Sequence, residues 1–260
     1  MKLDDYAYSS KLAEEAPGSK LLFGVIPLLF CLLADSFLVN MIVLVLMGAL
    51  SVGCTQITVF KYLKLMMIPF SFLLVGTLTV VISKFPIGHQ VLLGISVGEA
   101  VWGIDMDSFM YGLHLVFRAL AAVSCMYFIS LNTTMHDLLM FFRRWKCPII
   151  LVSLMELIYR YVFVLLDEAG RIKTAQSSRL GYHTFRSSIQ SAGTLFASLF
   201  LRAYLRCDRV YSALESRGYQ GNINMLPKTY RKRKSWYAAA VGMILLLGIA
   251  AIAERRFFPF

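Results

Sequence analysis

The sequence predicts an all-α integral membrane protein with about five transmembrane helices and long amphipathic helices on the cytoplasmic side. Three observations carry that prediction. Apolar residues make up 58% of the chain, against roughly 45–50% in a soluble domain. They gather into runs that match the about 20 residues a bilayer-crossing helix needs. The net charge of +11 is confined to one stretch, since residues 169–235 hold thirteen Lys/Arg against two acids, Asp208 and Glu215.

In chain order, residues 1–20, "MKLDDYAYSSKLAEEAPGSK", are polar and are expected to form a cytoplasmic N-terminal segment. They lack the basic stretch that leads straight into a short apolar core in a cleaved signal, so the spans themselves are expected to carry the membrane address. Residues 21–131 are expected to hold four spans. The run 21–53 would be about 50 Å long as one helix, too long for a single crossing. Two short spans with a tight turn at Asp35-Ser36 fit better. The next two are 65–83 and 109–131, and the last span is 236–253, followed by the tail 254–260.

Between them, residues 132–235 are expected to form cytoplasmic coupling helices. The run 148–168 is long enough to cross, and carries Glu156 and Arg160 at a spacing that lets them meet on one helix face. The positive-inside rule decides its placement. With the N-terminus inside, Lys61 and Lys64 fall inside, the acidic loop 84–108 falls outside, and Arg143, Arg144 and Lys146 fall inside. A crossing by 148–168 would carry the thirteen cations outside. That run is therefore expected to return to the cytoplasmic side or to lie among other helices. Ahead of it, Thr134 and Asp137 stand at near-capping-box spacing and mark a helix start.

From Ser187 to Glu215 there is no proline and one glycine, so a single helix is expected. At about 100° per residue, Arg202, Arg206 and Arg209 share one face, and Phe196, Phe200, Tyr204, Cys207 and Tyr211 lie roughly opposite. Such a helix suits the membrane interface or the underside of a helix bundle. Gly218 ends it, because glycine readily takes the left-handed conformation after the last helical residue. Arg217 is left at the C-terminal end, where the helix dipole favours a cation. "AQSSRLGY" at 175–182 repeats the pattern with Arg179, 38 residues earlier. Two helix ends tipped with arginine would make a two-pronged docking surface, since the planar guanidinium pairs carboxylates bidentately.

Other basic groups read differently. "RKRK" at 231–234 is expected to set topology and touch anionic lipid. Arg118 lies mid-span, where a charge costs at least about 2.5–3.5 kcal/mol, so it is expected to face the bundle interior or a polar partner. His114 lies one turn earlier. A structural hydrogen bond and contact with a moving partner are both open roles for this pair. No catalytic constellation is found: there is no GxxxxGK[ST], HExxH or GxSxG pattern. Five cysteines without CxxC spacing and four scattered histidines offer no metal-ligand set. No nucleic-acid partner is expected. The bilayer is expected to surround the spans.

"RALAAVSCMYFISLNTTMHDLL", "AQSSRLGY" and "LFLRAYLRCDRVYSALESRGYQG" together resemble the transmembrane T component of energy-coupling factor (ECF) transporters. The opening "DDYAYSSKL" with "PGSKLL" is similar to the cobalt-associated CbiQ branch. The resemblance runs from about residue 4 to about residue 221. It implies a non-catalytic subunit of the inner or plasma membrane that joins a substrate-binding membrane subunit to a pair of ABC-type ATPases, which bind the ATP. Cobalt is the implied cargo, with nickel or a vitamin as alternatives. The resemblance further implies that coupling helices end in Ala-Arg-Gly-like motifs docked in ATPase grooves. Here those positions are Ser178-Arg179-Leu180 and Ser216-Arg217-Gly218. Serine replaces alanine in both, leucine replaces glycine in the first, and Met135 stands where the family has proline after paired threonines. Two other classes compete with this one. A stand-alone basic membrane scaffold or lipid-binding protein would need no ATPase. A conventional ABC permease would line several spans with polar groups, and few are present beyond Arg118, His114 and scattered Thr/Ser.

Overall fold

The computed structural model describes residues 2–34, 36–86, 93–97, 100–219, 230 and 234–257. The chain forms two compact units, Met1–Asp137 with Thr229–Phe260, and Leu138–Lys228. Of the RKRK run, Arg231, Lys232 and Arg233 lie outside the described residues, as does Asp35.

In the first unit, α1 (Lys2–Ser9) precedes α2 (Pro17–Leu33), which opens on a proline, a residue whose missing N–H costs nothing in the first helical turn. The long apolar run breaks near the expected place. α3 (Phe37–Thr55) begins after Ser36, whose hydroxyl accepts the Val39 N–H at 3.4 Å. α4 (Val59–Val81) and α5 (Met106–Asn132) each start several residues before the apolar runs that mark them in the sequence. α6 (Met135–Arg144) starts here too, and α9 (Lys234–Phe257) closes the chain. By length and composition α3, α4 and α5 can each cross a membrane, and so can the helix Ile149–Ser178 of the second unit, which takes in the run expected not to cross; α2 and the apolar part of α9, Ala238–Glu254, are shorter.

The acidic loop between α4 and α5 holds strands that hydropathy does not predict. β1 (Ile82–Pro86), β2 (Leu93–Val97) and β3 (Ala100–Ile104) form an antiparallel sheet in the order β1-β3-β2, with both Ile82 and Leu93 opposite Ile104. Each strand is five residues long, which leaves room for little more than two repeats of the two-residue strand period. The usable signal was Val, Ile and Trp bounded by Gly and Pro.

α5 is the centre of this unit, packed against α1, α2, α3 and α4, and α9 lies on α2 and α3. Phe23, Met47, Cys125, Phe128 and Leu247 are among its buried apolar residues. Two glycines permit the closest approaches. A Cβ on Gly24 would collide with Ile129, and one on Gly112 with Val81. Small residues of this kind let membrane helices come together where no hydrophobic drive exists between helix and lipid. Outward-facing Phe72 and Val75 of α4 and Ile249 of α9 are exposed, as lipid contact requires.

Residues 1–20 are more than a solvated segment. Ala7, Leu12 and Ala16 are buried. Ser10 Oγ donates to Asn132 Oδ1 at 2.8 Å, and the Lys11 N–H donates to the Cys54 carbonyl at 3.0 Å. The segment thus serves the ends of α3 and α5, whose last carbonyls have no partner within their own helices. At the same end, Lys20 Nζ lies 3.2 Å from Asp137 Oδ2, with both side chains almost wholly buried. Tyr230 Oη donates to Asp137 Oδ1 at 3.0 Å. The Asp137 N–H is taken by Thr134 Oγ1 at 3.2 Å, the capping bond expected from the sequence.

The opposite end is held by Glu254 of α9. Its carboxylate accepts the Ser36 hydroxyl, the Phe37 N–H at 2.8 Å and the Leu38 N–H at 3.0 Å. An acidic group there satisfies orphan donors and suits the positive end of the α3 dipole. Arg118 donates to the Leu32 carbonyl, a polar partner of the kind its mid-span position demands. His114 Nε2 stands 3.4 Å from Asn40 Nδ2.

Removing one partner of a buried ion pair strands the other. Lys20→Met is expected to destabilise the solubilised protein by about 3–5 kcal/mol, and Lys20→Met with Asp137→Leu to recover most of that loss. Thermal unfolding in detergent measures both.

Candidate functional site

The second unit contains α7 (Ile149–Ser178) and α8 (Phe185–Glu215), and the residues singled out in the sequence sit at their ends and on their facing sides. At the end of α7, the Gly181 N–H reaches the Gln176 carbonyl at 2.9 Å and the Leu180 N–H reaches that of Ser177 at 3.0 Å. At the end of α8, the Tyr219 N–H reaches the Leu214 carbonyl at 3.0 Å and the Gly218 N–H reaches that of Glu215 at 3.0 Å. These are the same two bonds, the Schellman arrangement that satisfies otherwise unpaired helix carbonyls. Each end turns on a left-handed residue, Leu180 at φ 57° and Gly218 at φ 72°. Arg179 and Arg217 immediately precede those residues, so the two arginines occupy equivalent positions. Both are exposed, and neither is ion-paired among the described residues. Ser178 and Ser216 turn their hydroxyls back to the carbonyls of Thr174 and Ala213.

The elbow between α7 and α8 is tightly built. Ser187 Oγ and Ser191 Oγ each donate to the Gly181 carbonyl at 2.8 Å. Gln176 Nε2 donates to the Ser191 carbonyl at 3.0 Å, and Tyr182 Oη donates to Gln176 Oε1 at 2.8 Å. A Cβ on Gly181 would stand 2.7 Å from Ser191 Oγ and 2.9 Å from the Gln176 carbonyl, so this glycine is needed for close approach. Sequence reasoning missed these residues. The available signal was the pair Ser187 and Ser191, one turn apart on a helix that follows a glycine.

Further along, the helices run antiparallel. Arg202 Nη1 meets Glu168 Oε1 at 2.5 Å, an exposed pair that orients more than it stabilises. The Arg206 guanidinium lies 5.7 Å from the centre of the Tyr161 ring, within cation–π range. Arg209 Nε donates to the Leu205 carbonyl at 3.2 Å. The basic face of α8 is thus turned partly to α7, while Phe196, Phe200, Tyr204 and Tyr211 are exposed. Glu156 and Arg160 form no ion pair with each other, contrary to what their spacing allows. They line a cavity of about 270 Å³ beside Arg217, with Leu157, Tyr161 and Leu214.

Antiparallel packing sets the two arginine-tipped ends apart. Arg179 sits at the elbow and Arg217 at the open end of the hairpin. With α8 31 residues long, they are separated by about 46 Å along its axis.

The family model described as cobalt transport protein, CbiQ, matches residues 9–229, a span that takes in both arginine-tipped ends. The chain belongs to the CbiQ family. A CbiQ cobalt transport protein of Salmonella typhimurium is 30% identical over 223 residues, covering 86% of this chain and 99% of that protein. The uncharacterized protein MJ1089 of Methanocaldococcus jannaschii is 35% identical over 224 residues, with coverage of 86% and 82%. The energy-coupling factor transporter transmembrane protein EcfT of Staphylococcus aureus is 26% identical over 160 residues, with coverage of 57% and 59%. This CbiQ-family chain is a multi-pass membrane component of an ECF-type transporter.

The two ends of the CbiQ-family hairpin differ in the residue that takes the left-handed turn. Leu180→Gly is expected to stabilise the α7 end by about 1 kcal/mol, and Gly218→Leu to destabilise the α8 end by a similar amount. Hydrogen exchange of the amides at 180–181 and 218–219 reads both changes.

Proposed function

We propose that this chain is a non-catalytic coupling subunit that carries the motion of ABC-type ATPases to a substrate-binding membrane subunit for cobalt uptake. The observation that supports this best is the pair of arginines held in equivalent Schellman turns at opposite ends of one hairpin. Each guanidinium stands at a helix end with no ion-pair partner among the described residues and is suited to a carboxylate-lined groove. ATP-driven closure of two ATPases would displace the two grips, one at each end of α8. A hairpin pinned at its elbow and by Arg202–Glu168 would pass that movement on as a unit. The substrate-binding subunit would then tilt and release its ion. Cobalt is supported by the family's description. The distribution of cations supports a cytoplasmic N-terminus and a cytoplasmic 138–228 unit.

The exposed aromatic face of α8 favours a second reading, a basic platform on anionic lipid that needs no ATPase. Charge reversal separates the two. With Arg179→Glu and Arg217→Glu together, the protein should still reach the membrane but no longer co-purify with ATPase subunits. Either change alone should weaken the complex by about 2–5 kcal/mol. ATPase recovered with the double variant at the wild-type yield would refute the grip, and unchanged binding of anionic vesicles without ATPase would favour the platform.

Orientation has its own check. Cys207 is exposed. With the other four cysteines replaced, it should react with an impermeant thiol reagent in inside-out vesicles and remain unlabelled in intact cells.

A further inference from the structure

The chain leaves its first unit after Asp137 and returns to it at Thr229. Asp137 is completely buried. Its Oδ1 receives the hydroxyl of Tyr230, which stands at the return, at 3.0 Å. Its Oδ2 faces the ammonium of Lys20, in the first turns of α2, at 3.2 Å. Its own N–H is capped by Thr134, so the carboxylate is not needed for the helix start that the sequence predicts. It is committed instead to two distant segments. We propose that Asp137 is a positioning residue, a latch that joins the exit and the return of the 138–228 stretch to the start of α2.

The physical argument is one of freedom. A stretch connected to a membrane bundle at two separate points can flex at each point independently, and displacement imposed on it is dissipated there. Joining both points at one buried carboxylate makes them move together. Because the same carboxylate holds Lys20, they also move with α2. The latch resists opening, since a buried charge deprived of a partner carries a large desolvation penalty and hydrogen bonds to a charged acceptor are the strong ones. No residue proposed for ATPase docking belongs to this cluster.

The idea rests on the proposed coupling role for its consequence in transport, but not for its existence as a structural tie. Two measurements keep these apart. In the full-length chain in detergent, with no ATPase present, Tyr230→Phe removes one hydroxyl and leaves the ion pair. It should speed hydrogen exchange of the early α9 amides at 238–241 about tenfold, as local opening at the return becomes easier. Unchanged exchange there would mean that no latch exists.

In proteoliposomes holding the chain with its ATPase and substrate-binding subunits, and with cobalt as the probe, Tyr230→Phe, which leaves the ion pair in place, should lower cobalt moved per ATP hydrolysed. The expected drop is about tenfold, within the usual range for coupling between two sites. ATP hydrolysis and subunit content should hold. Transport, hydrolysis and assembly falling in step would reduce Asp137 to a structural residue and overturn the proposal, and so would an unaltered ratio. A wild-type chain that fails to retain ATPases would refute the coupling role instead, and the exchange measurement would still decide the latch.

Discussion

A carboxylate with no exposure to water holds this membrane unit together at one end. Asp137 can be charged there because Lys20 stands 3.2 Å away and Tyr230 supplies a hydroxyl. Without such partners an ionised group would not remain in an interior of low polarity. The same cluster gathers three parts of the chain that sequence keeps far apart: the first turns of α2, the start of α6 and the residue shortly before α9. Nearby, the Ser10–Asn132 bond and the Lys11–Cys54 bond use the N-terminal segment to finish the ends of α5 and α3. That end is therefore a polar seal, built from groups that would be a liability anywhere deeper in lipid.

The other end solves a related problem by another route. The start of α3 is capped by a carboxylate from α9, and Arg118 spends its charge on a carbonyl of α2. Between the two ends the unit is apolar, close-packed at Gly24 and Gly112, and outwardly greasy along α4 and α9. Described polar groups in the helices are few and are mostly engaged with one another or with the backbone. That arrangement suits a scaffold whose helices hold fixed positions better than a chain lining its own polar path.

The hairpin of α7 and α8 follows a different design. α8 has no buried residue among its thirty-one, so its form does not come from a core of its own. It depends on helix-forming residues along its length, a hydroxyl cap at Thr184, a hydrogen-bonded elbow around Gly181, and a few side-chain contacts with α7. Such an element is long, stiff and rich in exposed surface, as expected of a part whose partners are other chains. The equivalence of its two arginine-tipped ends is a matter of backbone geometry, reached with glycine in one case and leucine in the other.

What the sequence determined by itself were the features set by neighbours within about four residues: apolar runs, the break before Ser36, the Thr134 cap, the two faces of α8, and the left-handed stop at Gly218. Helical periodicity and capping depend on spacing along the chain, so they are legible there. The short sheet was nearly invisible, because five-residue strands carry little pattern. Leu180 hid its left-handed turn because leucine gives no local sign of it. Only the tertiary structure could decide that Asp137 belongs to Lys20 and Tyr230, 117 and 93 residues away, and that Glu254 caps a helix start 217 residues before it. It alone set Arg179 and Arg217 at opposite ends of one hairpin. A buried polar group takes whichever partner the packing brings within about 3 Å, and nothing in local spacing says which that will be.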